Sequence, residues 1–159
     1  MRINTAQGQK KKSDESKENT DQAIGKSKGG LSTKIHAVCD ALGNPVAIHL
    51  TQGQAHDLEG ADALINEISA EALLADKAYD AQERVIDRLK LKGCQIVIPP
   101  KISRIEKRSY DKELYKARHL IENFFAKLKQ YRAVATRYDK TSTNFLGAVH
   151  LVCALVWLI

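Results

Sequence analysis

The segment from Tyr115 to Lys129 constrains the fold of this chain most, because it combines an apolar face with a row of polar side chains. At roughly 100° per residue of helix, the apolar residues share one face: Ala117, Ile121, Phe124, Phe125 and Leu128. A stripe about 60° wide beside that face carries the polar residues Tyr115, Arg118, Glu122 and Lys129. The segment is therefore predicted to form one amphipathic helix that packs against a core.

The polar stripe has two interpretations. Charged stripes are common on exposed helices, so the simpler one is a solvated surface. However, Glu122 lies close to the apolar boundary of the predicted helix. A carboxylate in such a place is costly unless it is paired or bound to a metal. The second interpretation is therefore a functional carboxylate among a phenol, a guanidinium and an ammonium group.

Charge is distributed unevenly along the 159 residues, which suffice for one domain with a core. Residues 1–34 carry a net charge of +4, residues 35–100 carry −5 and residues 101–140 carry +7, within a total of +6. An acidic middle followed by a basic helical region suggests a cation-binding centre next to a phosphate-binding surface. An ordinary basic protein would show a similar total charge.

Hydrophobic patterning predicts an α/β fold with a sheet of mixed direction. Residues 1–33 are polar and rich in lysine, which predicts a flexible arm. The basic segment 101–113 is expected to be disordered or to face phosphate groups. The predicted elements are strands Lys34–Asp40 and Val46–Thr51, helix Asp57–Ile68, strand Ala72–Ala75, a helix running from a cap at Asp80 to Leu91, strand Gln95–Ile98, the Tyr115–Lys129 helix and a C-terminal helix.

Three local features complete this prediction. Asp40 precedes a Leu-Gly-Asn-Pro turn and is expected to bond nearby backbone, while Asp57 is the expected N-cap of its helix. The apolar last 16 residues favour a buried helix over a membrane span, because Asn144 and His150 interrupt them. The polar N-terminus resembles no signal peptide, and the cysteines have no metal-ligand spacing, so a cytoplasmic protein is expected.

Two carboxylates are the candidates for chemistry. Asp76 ends a short apolar run of strand character, and Glu122 lies on the later helix. Paired carboxylates at such positions can hold Mg²⁺ through oxygen ligands, and two metal ions can promote phosphodiester cleavage or strand transfer. A two-metal site would need a third carboxylate. The alternative is that both residues are structural acids.

The polar stripe also carries a resemblance. Tyr115-x2-Arg118-x3-Glu122-x6-Lys129 matches the Y-x2-R-x3-E-x6-K signature of bacterial insertion-sequence DDE transposases, and Asp76–Asp80, DKAYD, resembles the IS-five group. The resemblance implies an RNase H-like fold, a site dependent on Mg²⁺ or Mn²⁺, and cutting and joining of DNA at transposon ends. It implies that Asp76 and Glu122 are the second and third acids of a catalytic triad. It also implies that Tyr115, Arg118 and Lys129 position DNA.

The chain departs from the family pattern at its first acid. The resemblance leads us to expect an aspartate on the opening strand of the sheet, but Asp14 and Asp21 lie in polar sequence, and Asp40 belongs to a turn. The expected organisation is therefore a flexible arm, 1–33, and the C-terminal part of a catalytic domain, 34–159. Without the opening strand, a central sheet position should be unpaired and the chain marginally stable.

Two functional hypotheses follow from that departure. In the first, the chain is a metal-dependent transposase whose missing acid comes from another polypeptide, such as an N-terminal transposase fragment. In the second, it is a remnant without catalytic activity that binds DNA or full-length transposase. The expected partners are terminal-repeat and target DNA, together with either a second copy of the chain or a complementing N-terminal transposase fragment, and no membrane.

Overall fold

The computed structural model describes residues 1–5 and 22–158 of the chain. It is a mixed α/β structure that divides into two compact units. Unit 1 comprises Met1–Ile35, Leu50–Ala55 and Ala126–Ile159, and unit 2 comprises His36–His49 and His56–Phe125. Asp14, Asp21 and the lysines at positions 10–12 lie outside the described residues.

The larger sheet has five strands among the described residues: β1 (Arg2–Thr5), β2 (Gly25–Ser27), β3 (Gly30–Cys39), β4 (Pro45–Gln52) and β7 (Thr136–Arg137). Strand β3 pairs with β2, β1 and β4, and β1 also pairs with β7. The β1–β3 pair is antiparallel, with Ile3 opposite Thr33, and the β1–β7 pair is parallel, with Asn4 opposite Thr136.

Strand β1 corrects the expectation of an unpaired position in the sheet. It lies between β3 and β7, and it carries Asn4 but no aspartate. Strands β1 and β2 both fall within the predicted arm, 1–33, and β3 begins at Gly30 rather than at Lys34. The β3–β4 hairpin itself is confirmed, with its turn at 40–44.

Unit 1 is built around a buried arginine. The Arg137 side chain donates from Nη1 to Thr33 Oγ1 at 2.6 Å and stacks on the Phe145 ring at 5.0 Å. The carbonyls of Ala23, Asp139 and Lys140 accept its remaining hydrogen bonds. Burial lowers the pKa of Arg137, and nearby Asp139 opposes this shift. These bonds make burial of the cation tolerable, because each guanidinium nitrogen donates to at least one oxygen.

Helices complete unit 1. Helix α5 (Arg132–Ala135) buries Val134, and helix α6 (Ser142–Leu158) buries Phe145, Val149, Val152, Cys153 and Val156. The predicted C-terminal helix is thus confirmed, although one side of it exposes Leu151 and Trp157. Among the described residues, no helix is long and apolar enough to cross a membrane.

Unit 2 has its core under helix α1 (Asp57–Ile65). The N-cap of α1 is His56 rather than the predicted Asp57: His56 Nδ1 accepts from the Leu58 amide at 3.2 Å, and Glu59 accepts from the His56 amide at 3.0 Å. The Lys92 ammonium donates to three carbonyls at the end of this helix region. The buried core residues are Leu58, Ala61, Ile65, Val85, Ile86, Leu89, Cys94 and Ile98.

A two-stranded parallel sheet follows in unit 2. Strand β5 (Ala72–Leu74) pairs with β6 (Gln95–Val97), which confirms both predicted strands within a residue at their ends. Between them lie a 3₁₀ turn at Lys77–Tyr79, a π-helical turn at Gln82–Ile86 and helix α2 (Asp87–Leu91). The chain therefore leaves β5 directly into the turn that begins after Asp76.

The predicted Tyr115–Lys129 helix is present but is not a single α-helix. Helix α3 (Lys112–Tyr115) passes through a 3₁₀ turn at Lys116–Arg118 into α4 (His119–Gln130). Its amphipathic character is confirmed, since Phe124 and Leu128 are buried while Glu122 and Lys129 are exposed. The Asp111 side chain caps α3 by accepting from the Leu114 amide at 2.9 Å.

Candidate functional site

One guanidinium group joins the two candidate acids. Arg118 Nη1 lies 3.1 Å from Asp76 Oδ1, and Arg118 Nη2 lies 2.7 Å from Glu122 Oε1. The Arg118–Glu122 pair follows from helical spacing, because residues four apart face the same side. The Arg118–Asp76 pair links positions distant in sequence, since Asp76 follows β5. The structure thus brings both carboxylates to the same side chain.

Tyr115 completes the group around Asp76. Its hydroxyl donates a long hydrogen bond of 3.4 Å to Asp76 Oδ1, and the Arg118 guanidinium lies 5.6 Å from its ring centre. The Tyr110 ring contacts Tyr115 edge-on at 5.5 Å. Burial raises the pKa of Tyr115, Arg118 opposes the rise and Asp76 adds to it. Tyr115 is therefore a neutral donor at physiological pH.

The acids are accessible from solvent. The side chains of Asp76 and Glu122 are 53% and 57% exposed, and that of Arg118 is 26% exposed. Burial acts to lower the pKa of Arg118, but Asp76 and Glu122 outweigh it and raise the pKa. The site is therefore an open, charge-compensated surface, not an enclosed cavity. Ion pairs this exposed are weak, at about 0.2–1 kcal/mol each, so other cations can compete for the carboxylates.

Tyr79 lies beside these acids in the turn that follows Asp76. Burial raises its pKa to about 12, with the charges of Asp57 and Asp76 adding to the shift. The Tyr79 phenol accordingly stays protonated at physiological pH, and it packs against the core of unit 2. Its contribution to the site is to hold the Asp76 turn in place.

Asp80, four residues beyond Asp76, was predicted to cap a helix but instead forms ion pairs with two arginines. Its side chain makes no capping bond and is fully buried, where Arg104 and Arg108 bind it. Burial acts to raise the pKa of Asp80, but hydrogen bonds from Arg104, Lys101 and Arg108 hold it below its ordinary value of 3.8. The basic segment is thus anchored at both arginines.

Asp40 behaves as the turn residue that the sequence predicts. Its carboxylate accepts from the Leu42 and Asn44 amides at 2.9 Å each and from Asn44 Nδ2 at 3.2 Å. Burial acts to raise its pKa, but these bonds outweigh it and lower the pKa. With its oxygens used in this way, Asp40 offers no substitute for a missing catalytic acid.

Comparison with known proteins identifies the family of this chain. Residues 3–157 match the family model described as "Transposase DDE domain". The chain belongs to this family. It is also 44% identical over 131 residues to a Brucella ovis protein named "Putative transposase for insertion sequence element IS6501", covering 80% of this chain and 99% of that protein. No solved structure matches the chain.

Membership makes this chain a DDE transposase-family protein of the insertion-sequence type, a family that acts in DNA transposition and generally uses divalent metal ions. Oxygen ligands of the Asp76 and Glu122 type are those that Mg²⁺ prefers. Among residues 1–5 and 22–158, however, no cluster of three or more His, Cys, Asp or Glu side chains has the geometry of a metal site. The two acids have the donor chemistry of a divalent-cation site; a two-metal transposase site needs a further carboxylate.

Lys129, the last residue of the transposase motif, lies further along α4 and is exposed. It belongs to unit 1, whereas Asp76, Tyr115, Arg118 and Glu122 all belong to unit 2. The structure therefore brings four of the five motif residues together and places the fifth on the same helix.

Proposed function

We propose that this chain is the C-terminal part of an RNase H-like transposase catalytic domain that cleaves and joins DNA at insertion-sequence ends. The observation that carries the proposal is the convergence of Asp76 and Glu122 on Arg118. An acid after one strand and an acid on a later helix, drawn to one point, supply carboxylates for phosphodiester chemistry. The mixed sheet, with antiparallel β1–β3 and parallel β1–β7 pairs, supports the RNase H-like interpretation.

In this proposal Asp76 and Glu122 hold Mg²⁺ or Mn²⁺. When bound, such ions activate the attacking oxygen and stabilise the leaving oxygen of a phosphodiester. The protein contributes the fixed placement of the two carboxylates: β5 and the 3₁₀ turn hold Asp76, and helix α4 holds Glu122. Arg118 keeps the acids charge-compensated before the cation arrives.

Three motif residues position the DNA backbone. Arg118 offers a planar guanidinium, which binds phosphate through two parallel hydrogen bonds. Tyr115 is a neutral donor that supports Arg118, and Lys129 supplies a second cation further along the helix. Contacts of this kind fix the register of a protein on a duplex without reading its sequence. Tyr115, Arg118 and Lys129 would therefore set where cleavage occurs relative to the bound strand.

The third carboxylate is assigned to another polypeptide. Strand β1 of this chain carries no aspartate. A transposase fragment or a second copy that brings an aspartate to Asp76 and Glu122 would complete the site. Cleavage activity is accordingly expected to depend on this partner.

The test is cleavage of duplex DNA that carries the ends of the insertion sequence, with Mg²⁺ or Mn²⁺ and with a transposase polypeptide that supplies a further catalytic aspartate. Asp76→Asn and Glu122→Gln should each lower the rate at least about 100-fold, since each removes a ligand of the reaction centre. Glu113→Gln is the matched control, because Glu113 is an exposed acid on α3 that pairs only with Lys116. Cleavage that survives both substitutions, or that never appears with the partner present, would refute the proposal.

A second function is favoured by the two-acid composition of the site. A chain without a third carboxylate would bind DNA or full-length transposase without cutting. In that case DNA affinity would be strongly salt-dependent and unchanged by Glu122→Gln. Metal-dependent cleavage by this polypeptide would exclude the second function.

A further inference from the structure

The buried carboxylate of Asp80 organises the basic segment that follows β6. Asp80 accepts four hydrogen bonds: from the Lys101 amide at 2.8 Å, from Arg104 Nε and Nη2 at 2.9 and 2.8 Å, and from Arg108 Nη2 at 3.2 Å. Arg108 Nη2 also donates to the Ile98 carbonyl at 3.1 Å, just beyond β6. The segment is therefore fixed to the ends of two elements in unit 2.

This cluster carries more positive charge than its carboxylate compensates. Two guanidinium groups share Asp80, and each arginine side chain is only 20% exposed. Glu106, which lies between the two arginines in sequence, is exposed and forms no ion pair with either of them in the described part of the chain. One positive charge is thus left over where water reaches it poorly.

Arg108 is also incompletely bonded. Both of its acceptors, Asp80 and Ile98, bind the same atom, Nη2. Its Nε is buried and has no acceptor within the described part of the chain. A buried donor left unpaired costs about 1–3 kcal/mol, and such groups in native structures call for an explanation. An anion that approaches the remaining exposed edge of Arg108 would satisfy the surplus charge.

A second cluster of one aspartate and two arginines, around Asp62, is more exposed to solvent. Asp62 binds both Arg84 and Arg88, but Asp62 is 39% exposed and Arg84 46% exposed, so water solvates the surplus charge. Arg88 donates further to Asn66 Oδ1 at 2.6 Å, which leaves it well bonded. The Asp62 cluster therefore needs no additional anion.

The Asp80 cluster is close to the candidate site along the chain. Asp76 opens the 3₁₀ turn Lys77–Tyr79, and Asp80 ends it. Tyr110, just beyond Arg108, contacts Tyr115, which bonds Asp76. An anion bound at Arg108 would thus lie next to Asp80, at the end of the turn that begins after Asp76.

We propose that Arg108, held with Arg104 on the buried Asp80, is an additional binding site for a DNA backbone phosphate. Guanidinium groups match the geometry of phosphate oxygens and stay charged at all relevant pH values. The inference rests on the proposed function, since it takes DNA as the ligand, but it concerns residues outside the transposase motif. Asp80 acts here as a positioning residue that holds both arginines.

The test is the salt dependence of binding to a fluorescein-labelled 30-base-pair duplex, measured by anisotropy without divalent metal. Each phosphate contact contributes about 0.9 to the slope of log affinity against log salt. Arg108→Gln should therefore reduce the slope by about 0.9 and weaken binding several-fold at low salt, and Arg108→Lys should restore most of the slope. Arg84→Gln, in the exposed cluster, should leave the slope unchanged. An unchanged slope in Arg108→Gln, or an equal change in Arg84→Gln, would overturn the proposal.

A second measurement uses the unaltered chain, in case Arg108→Gln does not fold. Phenylglyoxal modifies accessible arginines, and peptide mass spectrometry reports the extent at each one. The duplex should protect Arg108 and leave Arg84 reactive; equal reactivity of Arg108 with and without DNA would contradict the inference. Because neither assay needs cleavage, failure here is separable from failure of the catalytic proposal, which is tested by Asp76→Asn and Glu122→Gln.

Discussion

Replacement of Arg118 by glutamine should increase the affinity of the isolated chain for Mn²⁺. Arg118 pairs with both Asp76 and Glu122, at 3.1 and 2.7 Å, so a cation must displace it from the carboxylates. Exposed ion pairs are worth about 0.2–1 kcal/mol each. With both pairs near the middle of that range, the guanidinium opposes metal binding by about 1 kcal/mol, or about five-fold in Kd, with a ceiling near 2 kcal/mol, about 30-fold.

The assay is titration with Mn²⁺ in the absence of DNA, with free Mn²⁺ followed by its paramagnetic resonance signal. Arg84→Gln is the matched control, because Arg84 pairs with Asp62 away from the two acids and its loss should leave Kd unchanged. Glu122→Gln should weaken binding, since it removes a ligand. Unchanged or weaker Mn²⁺ binding by Arg118→Gln would refute the competition between guanidinium and metal.

Three further predictions concern stability. Because the pKa of Asp80 is lower in the folded than in the unfolded chain, its contribution is complete above about pH 4 and is lost as pH falls through the folded-state pKa. Asp80→Asn should therefore flatten the acid limb of denaturant-derived stability between pH 3 and 7, and cost about 3–5 kcal/mol at neutral pH; an unaltered pH dependence would contradict this. His56→Ala should cost about 1 kcal/mol by removing the α1 cap, with recovery in His56→Ser; equal stability of all three proteins would exclude the cap. Gly60→Ala should destabilise by about 1–2 kcal/mol, because its methyl group would overlap the His36 ring, whereas Gly147→Ala on α6 meets nothing and should stabilise by about 0.5–1 kcal/mol; thermal melts that rank them oppositely would refute the packing.

Periodicity predicted the elements whose apolar residues face a local core. Helix α4 follows from the spacing of Phe124 and Leu128, and strands β5 and β6 follow from short apolar runs that end before polar residues. Strand β1 was not predicted, because its sequence, RINT, contains no apolar run. Its conformation depends on hydrogen bonds to β3 and β7, which are distant in sequence. Strand propensity is decided by such neighbours and not by the residues alone.

Polar residues were the harder part of the prediction. Asp80 precedes a helical pattern and so resembles an N-cap. In the structure its carboxylate instead accepts hydrogen bonds from two arginines more than twenty positions later. Asp57 resembles an N-cap, yet the backbone turns one residue earlier and His56 takes that role. The sequence pattern did not distinguish Arg137 from the other basic residues, yet its side chain is buried among four hydrogen-bond acceptors and the Phe145 ring. In each case the role of the polar residue depends on the fold around it, which local sequence patterns do not reveal.

In the candidate site, too, one contact follows from local sequence and another depends on tertiary packing. Helical spacing alone places Arg118 beside Glu122, whereas the approach of Asp76 to Arg118 depends on how β5 packs against the rest of unit 2. Their positions in the sequence made Asp76 and Glu122 a candidate pair, and the sequence resemblance strengthened that interpretation. The anchoring of the basic segment by Asp80 was visible to neither approach.

The most direct measurement of the central claim is the location of Mn²⁺ in crystals of the chain, by anomalous diffraction on either side of the manganese absorption edge. We predict one peak within ligand distance of both Asp76 and Glu122, at about 2.0–2.3 Å from an oxygen of each, with Arg118 moved away from at least one carboxylate. A peak bound to only one of the two acids, or bound elsewhere with the Arg118 pairs intact, would contradict a shared metal site.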